Sequence, residues 1–153
     1  MTEQTDPQNV RELAADLKML VLDVDGVLTD GGIILIGQDI EAKRFDVQDG
    51  MGITLARAAS LTVAILTSRN SDVVQRRARE LGIEEVIQGM FHKIDGLEML
   101  LSKYGITAKQ AAYMGDDLQD IPVMKRVGLP IAVQNAVQAV KDCSLYVTSA
   151  PGG

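Results

Sequence analysis

The stretch Met19-Leu-Val-Leu-Asp-Val-Asp-Gly26 joins an apolar run of strand length to two aspartates and a glycine. Similar short apolar runs alternate with segments of helical periodicity along the rest of the chain. This alternation predicts an α/β fold with a mostly parallel sheet flanked by helices, and the quoted stretch is its first strand. Ligands of such sheets bind at the carboxyl ends of the strands, so Asp23 and Asp25 lie where a functional site is expected.

The composition limits the kinds of site that the chain can build. Its 153 residues carry a formal net charge of −6, with one cysteine and one histidine. A chain of this length can bury a full apolar core, which predicts a single domain over residues 1–153. One thiol and one imidazole cannot form a cysteine-based or histidine-based metal centre. Any metal must therefore bind oxygen ligands, and Mg²⁺ is the leading candidate.

Charge and hydropathy also narrow the range of partners. The longest basic runs in this acidic chain are pairs such as Arg76–Arg77, which argues against a nucleic-acid partner. The apolar runs have the length of strands, and residues 1–9 lack the basic and apolar segments of a secretory signal. We therefore expect a cytoplasmic protein without a membrane partner.

A β-hairpin over residues 32–45, with a turn at Gly37-Gln-Asp39, is predicted to interrupt the alternation of strands and helices. The predicted strands cover residues 19–24, 62–67, 85–88, 111–115, 129–133 and 145–147. Five helices are predicted. The first begins at Asp49, the second covers 72–81, the third ends at Gly105, and the last two cover 122–127 and 137–141. We expect residues 1–17 to form an N-terminal extension, frayed over 2–6, and residues 148–153 to trail from the last strand.

Polar side chains follow three of the predicted strands and begin one of the helices. These residues are Asp23 and Asp25 after the first strand, Thr67 after the next, Lys93 at a helix start, and Asp116 after a later strand. Residues i and i+2 of an extended segment point the same way, so Asp23 and Asp25 start near each other. Adding the Asp116 carboxylate makes the cluster self-repelling unless a divalent cation neutralises it, which predicts bound Mg²⁺.

The same residue types suit phosphoryl transfer. A carboxylate can attack phosphorus when a second acid protonates the leaving alkoxide and cations offset the phosphoryl charge. The Thr67 hydroxyl and the Lys93 ammonium have the chemistry to bind phosphoryl oxygens. Each motif alone is also consistent with a turn, a helix cap or a solvated charge, but their ordered combination at strand ends favours a catalytic site.

The sequence resembles phosphatases of the haloacid dehalogenase superfamily across nearly its whole length. The motifs that carry the resemblance are Asp23-Val-Asp-Gly26, Thr67, Lys93 and Gly115-Asp-Asp-Leu-Gln-Asp120. A closer similarity, to the capless 3-deoxy-D-manno-octulosonate 8-phosphate phosphatase branch, rests on Leu22-Asp-Val-Asp-Gly-Val-Leu-Thr-Asp-Gly31, Phe45-Asp-Val-Gln-Asp-Gly50, Ile65-Leu-Thr-Ser-Arg69 and Tyr113-Met-Gly-Asp-Asp-Leu-Gln-Asp120. The resemblance implies a Rossmann-like fold without a cap domain. It also implies a Mg²⁺-dependent phosphomonoesterase that acts on a phosphorylated keto-acid sugar.

The resemblance assigns roles within these motifs. Asp23 is implied to attack phosphorus, and Asp25 to act as the general acid and then as the base that activates water. Thr67 and Lys93 are implied to bind the transferring phosphoryl group. The implied Mg²⁺ ligands are the carboxylates of Asp23 and Asp116 and the backbone carbonyl of Asp25, supported by Asp117 and Asp120.

The implied substrate-binding set extends beyond these motifs. It comprises Asp25, Asp46, Val47, Gln48, Asp49, Gly50, Arg69, Arg77 and Lys93. A guanidinium can hold a carboxylate through two hydrogen bonds, so Arg69 suits the carboxylate of a keto acid. The other interpretation is that Arg69 is a solvated arginine of a surface loop. Thr54 stands where this branch carries a substrate-binding arginine, which leaves a nonulosonate 9-phosphate phosphatase as an alternative.

Two alternatives come from other classes of function. One is a non-catalytic regulatory homologue, and the other is a phosphoacceptor signalling domain. The intact set of catalytic residue types argues against the first. A signalling domain needs a long-lived phosphoaspartate, which an acid/base at Asp25, two residues after Asp23, would shorten. Asp25 therefore favours the phosphatase.

The hairpin arm Ile33-Ile-Leu-Ile36 is too apolar for a solvent-exposed flap. Its side chains either pack on the sheet or form an oligomer interface. In the branch that the sequence resembles, the hairpin forms the core of a tetramer, and a tail beyond the position of Gly153 closes a neighbouring site. We therefore expect a homotetramer, and closure of the site by a tail or by other means stays open.

Overall fold

The computed structural model describes residues 7–153, so the expected fraying of residues 2–6 lies outside the described residues. The helices are α1 (Pro7–Ala15), α2 (Val47–Ala58), α3 (Asp72–Glu80), α4 (Lys93–Tyr104), α5 (Ile121–Met124) and α6 (Gln138–Asp142). The strands are β1 (Met19–Leu22), β2 (Ile34–Ile36), β3 (Ile40–Ala42), β4 (Thr62–Leu66), β5 (Glu85–Ile87), β6 (Ala111–Gly115), β7 (Leu129–Ala132) and β8 (Tyr146–Val147). None of these described helices combines the length and the hydropathy needed to cross a bilayer.

Six strands form one parallel sheet in the order β5-β4-β1-β6-β7-β8. The chain runs from β1 outward through β4 to β5, and then returns through α4 to β6 on the other side of β1. This reversal makes β1 the switch point of the sheet, where the loops after adjacent strands diverge and leave a crevice for a ligand. The predicted α/β fold with a mostly parallel sheet is confirmed.

Apolar side chains on both faces of the sheet hold the helices against it. Met19 and Val21 of β1 belong to one core cluster and Leu22 belongs to the other, as the alternation of an extended strand requires. The first cluster includes Leu97 of α4, and the second includes Ile53 of α2. Because β1 is buried from both sides, the residues that follow it leave the sheet from a fixed position.

The helix after the hairpin begins earlier than predicted. α2 starts at Val47 and not at Asp49, because Asp46 has an extended backbone and its side chain accepts a hydrogen bond from the Gln48 amide at 2.6 Å. Asp46 is therefore the N-cap. Asp49 lies in the first turn, where a negative charge suits the positive end of the helix dipole.

The N-terminal extension predicted over residues 1–17 contains a helix that the sequence pattern did not reveal. α1 begins at Pro7, where the missing amide proton and the fixed φ of proline suit a first helical turn. Val10 and Leu13 are its only large apolar residues. Two such residues in nine give a weak periodic signal, which explains the omission.

The C-terminal residues do not trail from the sheet as predicted. Gly152 is buried, its amide donates to the Asn135 side chain at 3.0 Å, and the Gly153 amide donates to the Val27 carbonyl at 3.1 Å. A Cβ at Gly152 would lie 1.8 Å from the Gly26 carbonyl oxygen, so this close approach requires glycine. The segment thus packs against the loop that follows the first predicted motif.

The predicted hairpin forms a separate two-stranded antiparallel unit, which confirms its topology. β2 pairs with β3 in a register that places Ile34 opposite Ala42 and Ile36 opposite Ile40. The strands are shorter than the predicted range of 32–45, and the three residues of β2 are exposed, Leu35 by 71%. A single copy of the chain therefore presents an apolar surface to the solvent.

Candidate active site

The carboxyl ends of β1, β4 and β6 bring the predicted catalytic residues together. Leu22, the last residue of β1, pairs with residues of both neighbouring strands, so the three strands end at one edge of the sheet. A cavity of about 200 Å³ opens at this edge. The predicted catalytic, phosphate-binding and metal-binding residues all line it, which are Asp23, Asp25, Thr67, Lys93, Asp116, Asp117 and Asp120.

Asp23 and Lys93 form a buried ion pair in this cavity. Lys93 Nζ lies 2.9 Å from Asp23 Oδ1, and the two residues are 4% and 6% exposed. Burial raises the pKa of Asp23 to about 6, although the nearby ammonium group opposes the shift. Burial disfavours the charged form of Lys93, but attraction to Asp23 and Asp120 outweighs it and raises the pKa of the lysine. Lys93 therefore stays a cation that can meet an anionic phosphoryl group.

Asp120 is anchored by hydrogen bonds and is not free to bind a metal directly. Its Oδ1 accepts from Lys93 Nζ at 2.7 Å and from the Tyr113 hydroxyl at 2.6 Å. Its Oδ2 accepts from the amides of Asp116 and Asp117 at 2.9 and 3.1 Å. A carboxylate has about four acceptor positions, and these donors fill them. Although an Asp120 oxygen lies within 4.8 Å of the other carboxylates of the cluster, its bonds make it a support of the site.

The carboxylates of Asp23 and Asp116 fit a hard divalent cation. Their oxygens lie within 4.8 Å of each other, and Asp116 Oδ1 is buried without a hydrogen-bond partner among residues 7–153. Burial raises the pKa of Asp116 to about 7, and repulsion from Asp23 adds to the shift. An ion with oxygen ligands would supply the missing partner and relieve the repulsion. Gly26 permits this arrangement, because a Cβ there would lie 2.0 Å from Asp116 Oδ2.

We expect the metal-free protein to lose stability as the pH rises through the range in which Asp23 and Asp116 ionise. Their folded pKa values, about 6 and about 7, lie above the ordinary aspartate value of 3.8, so the folded state holds these protons more tightly than the unfolded state. Their contribution to stability is complete below pH 3.8 and disappears as the pH passes about 7. Thermal unfolding on both sides of this window measures the effect.

Mg²⁺ should raise the melting temperature more at the high end of this pH range, where both carboxylates are charged and repel each other. The Asp116→Asn variant should lose most of the Mg²⁺ effect and part of the pH dependence. Asp72→Asn, at an exposed aspartate of α3, is the matched control and should behave as the wild type. A metal-free wild-type protein that gained stability relative to Asp116→Asn as the pH rose would contradict the raised pKa values.

The hairpin supplies two site residues that the sequence pattern did not reveal. The side chain of Lys43 is 2% exposed and forms ion pairs with the Asp25 carboxylate and, at 3.0 Å, with Glu41. Glu41 also accepts a hydrogen bond from Arg69 Nη2 at 2.8 Å, and Arg69 Nε lies 3.8 Å from Asp25 Oδ2. The hairpin thus brings an ammonium and a carboxylate to the predicted acid/base. Glu41 and Lys43 flank Ala42 in an extended segment, so their side chains point to the same side. This spacing is the sequence signal that could have identified both residues.

Gly31, Ser68 and Gln119 also line the cavity without having been predicted. The Ser68 hydroxyl donates to Gln119 Oε1 at 2.6 Å, which joins the loops after β4 and β6 across the cavity. Their positions next to Thr67 and Asp120 in the sequence were the available signal.

The predicted substrate-binding segment Asp46–Gly50 lies beside Arg77, and neither is among the residues that line the cavity. Arg77 Nη2 donates to the Asp46 carbonyl at 3.4 Å, and its guanidinium lies 5.9 Å from the centre of the Phe45 ring. Arg69, in contrast, lines the cavity. The contacts of Asp46, Val47, Gln48, Asp49, Gly50 and Arg77 with a substrate stay a prediction.

Comparisons with known proteins agree with this geometry. The sequence pattern of haloacid dehalogenase-like hydrolases matches residues 62–151. Over 145 residues the chain is 41% identical to the 3-deoxy-D-manno-octulosonate 8-phosphate phosphatase KdsC of Escherichia coli strain B / BL21-DE3. The aligned region covers 95% of this chain and 77% of that protein. The chain is 40% identical to the protein of the same name from Yersinia pestis, over 95% of this chain and 78% of that protein.

Solved structures show the same likeness in three dimensions. The 3-deoxy-D-manno-octulosonate 8-phosphate phosphatase from Moraxella catarrhalis, in complex with a magnesium ion, a phosphate ion and a KDO molecule, has a TM-score of 0.94 at 38% identity over 97% of this chain and 85% of that chain. The cobalt-bound deoxy-D-mannose-octulosonate 8-phosphate phosphatase from Haemophilus influenzae has a TM-score of 0.89 at 37% identity over 92% of this chain and 82% of that chain. With its motifs gathered in one cavity and its family pattern over more than half its length, this chain belongs to the haloacid dehalogenase-like hydrolases.

Proposed function

We propose that the chain uses bound Mg²⁺ to hydrolyse a phosphate monoester of a keto-acid sugar, with 3-deoxy-D-manno-octulosonate 8-phosphate as its substrate. The observation that carries the proposal is the cluster of Asp23, Lys93 and Asp116 in one cavity, with Asp25 two residues after Asp23. The relatives whose names state this activity support the choice of substrate.

The residues of the cavity divide the reaction between them. Asp23 attacks phosphorus and forms an aspartyl-phosphate, while Lys93 and Thr67 bind the oxygens of the phosphoryl group. Asp25 gives a proton to the departing sugar alkoxide and then takes a proton from the water that hydrolyses the aspartyl-phosphate. Asp23 and Asp116 would hold Mg²⁺, which would supply positive charge to offset the negative charge of the phosphoryl group.

Arg69 is the candidate for recognising the carboxylate of the substrate. Its side chain is 44% exposed, lines the cavity and forms an ion pair with Glu41 of the hairpin. A guanidinium binds a carboxylate through two parallel hydrogen bonds, so a keto acid can replace Glu41 as its partner. A sugar phosphate without a carboxylate cannot make this exchange, and it should bind less well.

Thr54 makes a nine-carbon acid sugar the second candidate substrate. Its hydroxyl donates to the Gly50 carbonyl at 2.9 Å, one turn earlier in α2. The side chain is therefore engaged with its own helix and offers no positive charge to a substrate. Without the arginine expected at this position in an octulosonate phosphatase, a nonulosonate 9-phosphate is the ester to compare.

Phosphate release from matched sugar phosphates tests the proposal. We expect the purified protein with Mg²⁺ to give its highest kcat/KM with octulosonate 8-phosphate, a lower value with the nonulosonate 9-phosphate, and the lowest with glucose 6-phosphate, which lacks a carboxylate. Chelation of Mg²⁺ should stop hydrolysis. A higher kcat/KM for the nonulosonate 9-phosphate would make that ester the substrate. If neither the octulosonate nor the nonulosonate ester released phosphate, the proposal would be overturned.

A homotetramer built on the hairpin is part of the proposal. The apolar side chains that the hairpin and α2 expose are Ile33, Ile34, Leu35, Ile36, Ile40, Val47, Met51 and Leu55. A monomer rarely leaves an apolar surface of this kind open to water, and a second copy of the chain brings the same surface by symmetry. The tetramer would also shield the site, which the hairpin contacts through Lys43.

The Leu35→Asp variant should form smaller particles than the wild type, because it places a charge in the apolar surface of the hairpin. Size-exclusion chromatography with light scattering measures the assembly. Met99→Asp is the matched control, since Met99 is 58% exposed on α4, and it should leave the assembly unchanged. A monomeric wild-type protein would contradict the tetramer.

A cytoplasmic location and the lack of nucleic-acid and membrane partners belong to the same proposal. The formal net charge of −6 supports the lack of a nucleic-acid partner, because an acidic surface repels a phosphate backbone. A single phosphatase domain over residues 1–153 is likewise proposed, and both core clusters that pack against the one sheet support it.

A further inference from the structure

Tyr113 is a fully buried tyrosine of β6 that has no part in the reaction described above. Its side chain is 0% exposed and belongs to the core cluster that includes Leu97 of α4. A phenylalanine would pack the same ring, so the hydroxyl is the feature that needs an explanation. This hydroxyl donates to Asp120 Oδ1 at 2.6 Å and accepts from Lys93 Nζ at 3.2 Å.

The Tyr113 hydroxyl completes the set of donors around Asp120. Asp120 is 0% exposed, so bulk water cannot fill an acceptor position that a missing donor leaves open. The other donors are Lys93 and the amides of Asp116 and Asp117, all of which belong to the predicted phosphate-binding or metal-binding residues. Tyr113 is the donor that comes from the interior of the sheet.

Asp120 links two parts of the site whose spacing matters for the reaction. Through Oδ1 it holds Lys93, whose Nζ also lies 2.9 Å from Asp23 Oδ1. Through Oδ2 it holds the amide of Asp116, the residue whose carboxylate faces the metal position. Rotation of the Asp120 carboxylate would therefore disturb the lysine and the metal-binding loop together, and Tyr113 opposes this rotation from a central strand.

We propose that Tyr113 is a positioning residue that acts through Asp120 to set the spacing between Lys93 and the Asp116 loop. This inference rests on the proposed function, which assigns Lys93 to the phosphoryl group and Asp116 to Mg²⁺. Removing the hydroxyl should weaken metal binding and slow the chemical step. Capture of the sugar should change little, because Lys93 is the one predicted substrate-binding residue of the described chain that forms a hydrogen bond with the Tyr113 hydroxyl.

The Tyr113→Phe variant tests the proposal against Tyr104→Phe, its matched control. The Tyr104 hydroxyl also donates to a carboxylate, Glu85 Oε1 at 2.8 Å, at the opposite end of α4 from Lys93. We expect Tyr113→Phe to lower kcat for octulosonate 8-phosphate by about 10- to 100-fold and to raise the midpoint of the Mg²⁺-dependent thermal shift by a similar factor, with KM nearly unchanged. Tyr104→Phe should match the wild type. A Tyr113→Phe variant with a lower melting temperature but a wild-type kcat and Mg²⁺ midpoint would have lost only packing, and the proposal would be overturned.

A double-mutant cycle with Asp120→Asn shows whether Tyr113 acts through Asp120. If it does, adding Tyr113→Phe to Asp120→Asn causes little further loss of kcat or of Mg²⁺ affinity. Losses that multiply in the double variant would overturn the proposal. The thermal shift with Mg²⁺ needs no turnover, so it decides the role of Tyr113 even if the wild type releases no phosphate. Absence of phosphate release would overturn the proposed function and leave the role of Tyr113 to the thermal shift.

Discussion

Asp23→Asn is expected to abolish phosphate release and to leave the fold intact. Asparagine offers no carboxylate to attack phosphorus, and the loss of a nucleophile costs about 10⁴-fold or more in kcat. The amide oxygen can still accept the hydrogen bonds that Asp23 Oδ1 accepts from the Val24 amide at 2.7 Å and from Lys93. Because burial already favours the neutral form of Asp23, a neutral asparagine should be tolerated.

Phosphate release under Mg²⁺ saturation measures the effect of Asp23→Asn, and circular dichroism and the melting temperature establish that the variant is folded. Asp72→Asn serves again as the control, since Asp72 is exposed at the start of α3 and does not line the cavity of the site. Turnover near the wild-type rate by a folded Asp23→Asn protein would contradict the assignment of the nucleophile.

Asp25→Asn is expected to slow both chemical steps, because one group serves as the acid and then as the base. The loss of a general acid/base typically costs about 10²–10⁴-fold in kcat. Rapid-quench kinetics separates the release of the sugar from the release of phosphate, and both should be slower than in the wild type. Asp30→Asn, at an exposed aspartate on the same loop, should stay close to the wild type. An Asp25→Asn variant that slowed neither step would remove Asp25 from the mechanism.

The sequence was sufficient to predict the parallel sheet and the group of residues at its edge. Asp23, Thr67 and Asp116 each follow an apolar run, and strands that alternate with helices along the chain must align parallel, which brings their carboxyl ends together. Lys93 begins a helix, as predicted, and the fold places that helix start in the same cavity. These residues were predictable because local sequence and topology together determine their positions.

The rest of the site depends on contacts that no local pattern encodes. Lys43 and Glu41 reach Asp25 and Arg69 only because the hairpin folds back over the end of β1, and the apolar arm of the hairpin gave no indication of that direction. Tyr113 has the pattern of a core residue of β6, and its hydrogen bond to Asp120 becomes visible only when the loop after β6 is placed. The early start of α2 at Val47 had a simpler cause, since Asp46 and Asp49 are both suitable caps by residue type.

The phosphorylated intermediate shows directly whether Asp23 is the nucleophile of a phosphomonoesterase. The Asp25→Asn protein is incubated with Mg²⁺ and octulosonate 8-phosphate until the slowed first step has occurred, and is then quenched in acid. It should retain the intermediate, because hydrolysis of the aspartyl-phosphate also lacks its base. Peptide mass spectrometry is expected to find the added mass of one phosphoryl group on the peptide that contains Asp23, and none in the Asp23→Asn/Asp25→Asn protein. A phosphoryl group on a different residue, or sugar release without any phosphorylated peptide, would rule out Asp23 as the nucleophile.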